Sequence, residues 1–242
     1  MALTQVRKTS ASSECFEQLA AEITGGHLGP GALLPAERTL TETFGVNRQA
    51  IREALQRLAQ AGLIRISQGE PTKVLDFRRT GTLDLLPRVL FLPSGEPDPE
   101  TIRSVMEMRL SVGSDAARLA ADRATVEHLQ RLRSYPDEAR AVEGEAELAA
   151  VDLAFWETVI EAADNIAYRL AFNSLRAAYE PLVEAVAPVI RDEISDVEGH
   201  LLLIDAIDRR DGSGAMNAAR ALLSKGATSL AMFISNDEGG RK

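Results

Sequence analysis

The sequence predicts a mostly α-helical protein in two parts: an N-terminal winged helix-turn-helix over residues 1–77 and a C-terminal all-α antiparallel bundle of six to seven helices over 78–242. Three observations predict it. Residues 14–76 run in the order helix, helix, glycine turn, helix, short alternating strands. Beyond residue 80 apolar residues recur only at helical spacing. The charge is also uneven: residues 1–80 hold 10 Lys and Arg against 8 Asp and Glu, whereas the other 162 residues hold 17 against 28. That asymmetry fits an anion-binding module joined to an acidic body; a solvated acidic face arising by chance would look the same.

In ECFEQLAAEITG, residues 14–25, Phe16, Leu19, Ala20 and Ile23 share one helical face, and Gly25 and Gly26 end the helix. HLGPGALLP reads as a loop, with Pro35 where a second helix would start. That helix, AERTLTETF, stops at Gly45. Asn47 is a suitable N-cap for a third helix. The third helix carries Ile51, Ala54, Leu55, Leu58 and Ala61 on one stripe and stops at Gly62. LIRIS and TKVL flank the turn QGEP as in a β-hairpin. FRRTG at 77–81 marks the boundary. Bundle segments then follow at 82–92, 99–122, 124–133, 143–163, 166–189, 193–210 and 214–234, separated by PSGEPDP, SYPDE, Asp164-Asn165 and RRDGSG. Asn165 reads as a helix cap, and Pro181 predicts a kink or break near Tyr179–Pro181.

No uncharged apolar run approaches the roughly 20 residues that span a bilayer. The start, MALTQVRKTSASSE, has no apolar core, so a cytoplasmic protein without a secretory signal is expected. The single cysteine, Cys15, excludes an internal disulfide and reads as a helix-face residue. Nucleophile motifs, glycine-rich phosphate loops and complete metal triads are missing, so an enzyme is not expected.

With the apolar stripe of the third helix facing inward, Arg48, Gln49 and Arg52 project together on its other side. A 15-residue helix, about 22 Å long and about 10–12 Å thick, fits the major groove of DNA. Arginine offers a bidentate fork for guanine, and Gln or Asn can do the same for adenine. Arg38, in the first turn of the second helix, is placed to touch a phosphate. Arg57 reads as an ordinary surface arginine.

The stretch LPAERTLTETFGVNRQAIREALQRLAQAGLIRISQGEPTKV resembles the DNA-binding domain of the GntR family of bacterial transcription regulators. The words PAER, GV, the helix R-x-x-x-R-E-A-L-x-x-L and the strand G-L-I carry the resemblance. MEMRLSVGSDAARLAADRAT, DLAFWETVIEAADN and HLLLIDAIDRRDGSGAMNAARALL are similar to the FadR-type effector domain of that family. The resemblance implies a homodimer on a short palindromic operator in double-stranded DNA, released by a small-molecule effector bound in the helical domain. By position it implies DNA contacts from Arg38, Asn47, Arg48, Gln49 and Arg52, with Gln68, Gly69 and Thr72 on the wing. The sequence PTKV, Phe77 and the following L-D-L-L resemble the fatty-acyl-CoA-responsive branch. Glu70, however, puts an anion at the wing tip where that branch has a base.

Many members of the family hold a divalent metal with one aspartate and three histidines. Here Asp152 matches the aspartate, its i+4 partner is Trp156, His200 matches the second histidine, and the third falls on Lys225. Only His27, His128 and His200 exist in the whole chain. Two of four ligands are too few for a tight site, and no metal or other cofactor is expected. In its place the resemblance implies an effector pocket with Arg109 and Lys225 as anion binders and Asp152, Trp156 and His200 around them. The effector would be a small acidic or acyl-CoA-type molecule. Trp156 could equally be core filling, His200 a hydrogen-bonded core or cap residue, and Asp152 part of an internal hydrogen bond or ion pair. The alternative is a metal-dependent regulator of the same family that senses a small carboxylate.

Overall fold

The computed structural model describes residues 10–239 except Pro93, and the side chains only as far as residue 234. Residues 1–9, on which the expectation about a secretory signal chiefly rests, lie outside the described residues. The chain forms two compact units, the first reaching Glu96 and the second beginning at Pro97.

The first unit opens with α1 (Ala11–Thr24), capped by Ser10, whose hydroxyl accepts from Ser13 N–H. Then come α2 (Glu37–Phe44) and α3 (Arg48–Gln60). Gly45, at φ +64°, makes the left-handed turn between them, and the Asn47 side chain caps α3 by accepting from Ala50 N–H at 2.8 Å. Strands β1 (Ile64–Arg65) and β2 (Lys73–Val74) pair antiparallel, Ile64 opposite Val74 and Arg65 opposite Lys73. Phe16, Leu19, Leu40, Ile51, Leu58, Leu63 and Val74 fill the core beneath. Part of the loop expected for HLGPGALLP is in fact extended backbone: Leu33 bridges Lys73, Leu34 N–H donates to Thr72 O, and Val74 N–H donates to Ala32 O. The wing is thus buttressed by a third strand-like segment, which a run rich in glycine and proline conceals.

The boundary expected at 77/78 falls instead after Glu96. Helix α4 (Phe77–Thr80) closes on the third helix: Thr80 Oγ1 donates to Gly62 O at 2.7 Å, and the Thr80 carbonyl occupies the space a Cβ on Gly62 would need. After a 3₁₀ turn (Leu83–Leu85) and α5 (Leu86–Val89), Leu85 is buried in the winged core. Arg88 binds Glu17 through two hydrogen bonds and covers the Phe16 ring. Arg57, expected as plain surface, covers the same ring at 4.2 Å and donates to Ser13 Oγ. Residues 78–90 therefore seal the first unit rather than open the bundle.

The second unit holds six helices of twelve or more residues among the described ones: α6 (Pro99–Arg123), α7 (Val126–Ala141), α8 (Glu145–Ala162), α9 (Ile166–Tyr179), α12 (Val197–Asp208) and α13 (Gly212–Gly239). Two single turns, α10 (Val183–Val186) and α11 (Arg191–Ile194), lie between α9 and α12. SYPDE does not break the chain: α7 runs through Pro136 to Ala141. Pro181 does mark a break, with a 3₁₀ turn over Glu180–Leu182. Small residues Ala116, Ala117 and Ala120 of α6 let it pack closely among Val159, Leu203, Ala219 and Leu222.

Candidate DNA-binding face and effector cavity

In the first unit the burial pattern of α3 leaves one side to solvent. Ala50, Ile51, Ala54, Leu55 and Leu58 are buried, whereas Arg48, Gln49 and Arg52 are exposed, as are Arg38 and Asn47. Most of these groups have only exchangeable partners. Gln49 Nε2 donates to Glu53 Oε1 at 2.8 Å, Arg52 Nε donates to Glu37 Oε2 at 3.0 Å, and Arg38 lies 3.8 Å from Glu42. Arg48 has no such partner among the described residues. Ion pairs this exposed contribute little, so an anion arriving from solvent can replace the carboxylates cheaply. Asn47 differs, because its Oδ1 is engaged in capping and only its amide nitrogen is available. On the wing, Gln68 and Gly69 are exposed, with Gly69 at φ +80° making the turn. Thr72 is half-buried, its carbonyl used by Leu34. Glu70 stands exposed beside them.

In the second unit α6, α8, α9 and α13 surround a cavity of about 120 Å³, to whose wall Val186 and Ile190 also contribute. Its wall is mostly apolar, with Val105, Val112, Leu153, Ile160, Phe172 and Leu223 among the lining residues. Arg109, Asp152, Trp156, Arg176 and Tyr179 are the polar groups in it. Three of the five expected effector residues, Arg109, Asp152 and Trp156, thus meet in one cavity.

Arg109 is not free for a ligand. Its guanidinium grips Glu193 with both nitrogens, Nη1 to Oε2 at 2.9 Å and Nη2 to Oε1. Glu193 is fully buried and accepts a third hydrogen bond from Gly226 N–H at 3.2 Å. Burial pushes the Glu193 carboxyl up, against the pull of the guanidinium. The same burial works against the charge on Arg109, but the Glu193 carboxylate outweighs it and holds Arg109 above the usual arginine range. The sequence reading missed Glu193. A signal for it exists in Gly226, a glycine inside a long helix, where a Cβ would collide with Glu193 Oε2.

Asp152 Oδ1 lies 2.9 Å from His200 Nε2, and His200 Nδ1 lies 2.8 Å from the Asp196 carbonyl. The ring thus spans two elements, tying α8 to the residue that caps α12. The imidazole stacks on Tyr135 at 4.1 Å and meets the Phe155 edge, and Tyr135 is fixed by donating to Ile194 O. His200 is therefore a buried support behind Asp152 and does not line the cavity. Burial and the Asp152 carboxylate push the Tyr179 phenol up to about 12, so it is a neutral donor. Trp156 Nε1–H is buried without a hydrogen-bond partner.

The expectation for Lys225 is corrected. Its ammonium is half-exposed and pairs with Asp196 at 2.6 Å, outside the cavity. One residue further along α13, Gly226 faces Glu193 instead, and a helix turns about 100° per residue, so the two positions look different ways. The donor set does not fit a divalent cation either. Asp152 and His200 are bonded to each other, Trp156 cannot ligate, and a guanidinium sits in the same cavity. Among the described residues no three His, Cys, Asp or Glu side chains converge.

A solvent-facing recognition helix beside a buttressed wing, followed by a helical unit with an apolar cavity, defines a helix-turn-helix transcription regulator with a ligand-binding domain. The comparisons with known proteins agree. Residues 11–74 match the model of the gntR family of bacterial regulatory proteins, and residues 104–225 match the FCD domain. The chain is 42% identical over 233 residues to the HTH-type transcriptional regulator Mce2R of Mycobacterium tuberculosis, covering 95% of each. It is 32% identical over 182 residues to the fatty acid metabolism regulator protein of Erwinia tasmaniensis, covering 72% of this chain and 71% of the relative. A GntR-family transcriptional regulator from Pseudomonas syringae pv. tomato shares the fold at a TM-score of 0.51 and 18% identity, over 96% of this chain and 89% of that one. This chain belongs to the GntR family of transcription regulators, with an FCD effector domain. No helix among the described residues is long and apolar enough to cross a membrane.

Proposed function

We propose that the protein is a cytoplasmic homodimer that binds a palindromic operator through α3 and the wing, and that a small acidic or acyl-CoA-type effector in the helical cavity weakens that binding. The observation that carries the first half is the exposed trio Arg48, Gln49 and Arg52 on a helix whose other face is core. In this reading Arg48, Gln49 and Arg52 read base edges, Arg38 holds a phosphate, Asn47 serves mainly as the cap, and Gln68, Gly69 and Thr72 follow the adjacent groove or backbone. Glu70 keeps the wing tip shallow, because a carboxylate near phosphates is repelled. The effector half is supported by the apolar cavity and by relatives named as fatty acid metabolism regulators. The cavity is read as working without a metal, since its two remaining candidate ligands bind each other.

Effector binding acts as a population shift: it favours dimers whose recognition helices no longer match the spacing of the half-sites. The test starts from an operator selected out of random DNA. Replacing Arg48 and Arg52 together with alanine is expected to weaken operator binding by about 100-fold or more and to flatten its salt dependence. Wild-type affinity in the double variant would sink the proposal. Dialysis against a chelator is expected to leave effector-driven DNA release intact, and loss of that release restored by zinc would replace the metal-free reading.

A further inference from the structure

The ionisable groups around the cavity have partners within the protein. Arg109 is held by Glu193, Asp152 by His200, and Arg176 by Glu157 and Glu180, at 3.2 and 3.3 Å. No cation in the lining lacks a carboxylate partner among the described residues. Two donors remain, the Trp156 indole N–H and the Tyr179 hydroxyl, and both are neutral. An entering carboxylate would lose its hydration and find Arg109 spent on a buried partner and Arg176, the other cation in the wall, already facing the two carboxylates Glu157 and Glu180, while Asp152 stands in the same wall. A carbonyl oxygen asks only for the neutral donors.

We infer that Glu193 is a specificity-determining residue: by occupying Arg109 from inside, it makes the cavity take an uncharged acyl group, an ester or thioester carbonyl on an apolar chain, and reject the free carboxylate. This rests on the acyl-effector reading above and deepens it. Glu193 fills the role that a ligand carboxylate would otherwise play, accepting both arginine nitrogens and the Gly226 N–H. Removing its charge while keeping its shape converts a neutral pocket into a cationic one.

The test titrates the full-length protein with octanoate and with methyl octanoate, reading binding by calorimetry and by the fluorescence of Trp156, the only tryptophan. The wild type is expected to prefer the ester by about tenfold or more. In Glu193→Gln, Arg109 keeps its charge and loses its counter-ion, and the ratio is expected to move towards octanoate by about 30-fold. The double variant Arg109→Gln, Glu193→Gln removes both charges together and is expected to prefer the ester again. It also carries the test if circular dichroism shows the single variant unfolded. An unchanged ratio in Glu193→Gln, a wild type that prefers octanoate, or a double variant that prefers octanoate overturns the inference and leaves the acyl reading standing. If neither ligand binds any folded variant, the acyl reading itself fails and the inference falls with it.

Discussion

The two units use arginine in opposite ways. In the winged unit Arg52 and its partner Glu37 have side chains 63% and 43% exposed, and Arg38 and Glu42 are 78% and 65% exposed. In the helical unit Arg109 is 23% exposed and its partner Glu193 is fully buried. The first kind of pair sits in water, is worth little, and can be traded for a phosphate. The second kind has lost its water, so separating the partners strands a charge. The same side chain is therefore open to exchange with an incoming anion at Arg52 and spent at Arg109. Sequence position reveals neither state; burial and partnership do.

The comparison can be broken most sharply at Glu193. Glu193→Ala strands Arg109 and the Gly226 N–H, and it is expected to destabilise the protein by about 3 kcal/mol, measured by chemical unfolding. A cost under about 1 kcal/mol would mean the buried pair behaves like the exposed ones. Gly226→Ala pushes a methyl group into the same carboxylate from the other side and is expected to cost about 1–3 kcal/mol, again by unfolding. Arg48→Ala in the winged unit is expected to leave stability within about 0.5 kcal/mol of wild type while, under the proposed function, weakening operator binding. A large loss of stability there would show that the exposed face is structural.

The smallest effect belongs to Lys225. Lys225→Ala is expected to cost well under about 1 kcal/mol and to leave the effector response unchanged, because the ammonium lies outside the cavity. Burial pushes the Asp196 carboxyl up, but Lys225 and the Gly199 N–H more than offset this and hold it below the usual carboxylate range. A carboxyl depressed in the folded state contributes stability above its ordinary pKa of about 4, and that contribution fades as pH falls through the depressed value. The difference between wild type and Lys225→Ala should therefore shrink in strong acid. A penalty that persists at the acidic end would assign Lys225 a role other than its pair with Asp196.

Much of the winged unit is legible in the chain because its signals are local. Gly45, Asn47 and Gly62 punctuate α3 by backbone conformation and capping, and the stripe from Ile51 to Leu58 names its buried face. The placement of segment 78–90 is not legible, because its helical spacing says nothing about which core receives Leu85 or which ring Arg88 covers. SYPDE has the composition of a break, yet α7 runs through Pro136. In the cavity, Arg109, Asp152 and Trp156 are visible one by one, but the sequence does not show that Lys225 pairs with Asp196 instead, and a glutamate in RDEISD gives no sign of full burial.

By itself the sequence determined the order of elements, the two-part architecture and the exposed arginine face, because helix caps, glycine turns and apolar periodicity act between residues a few positions apart. Only the tertiary structure decided which charges cancel. Arg109 and Glu193 are 84 positions apart, and Asp152 and His200 are 48 apart. Whether such groups meet depends on how the helices pack, and that packing sets the desolvation that turns a surface charge into an internal counter-ion.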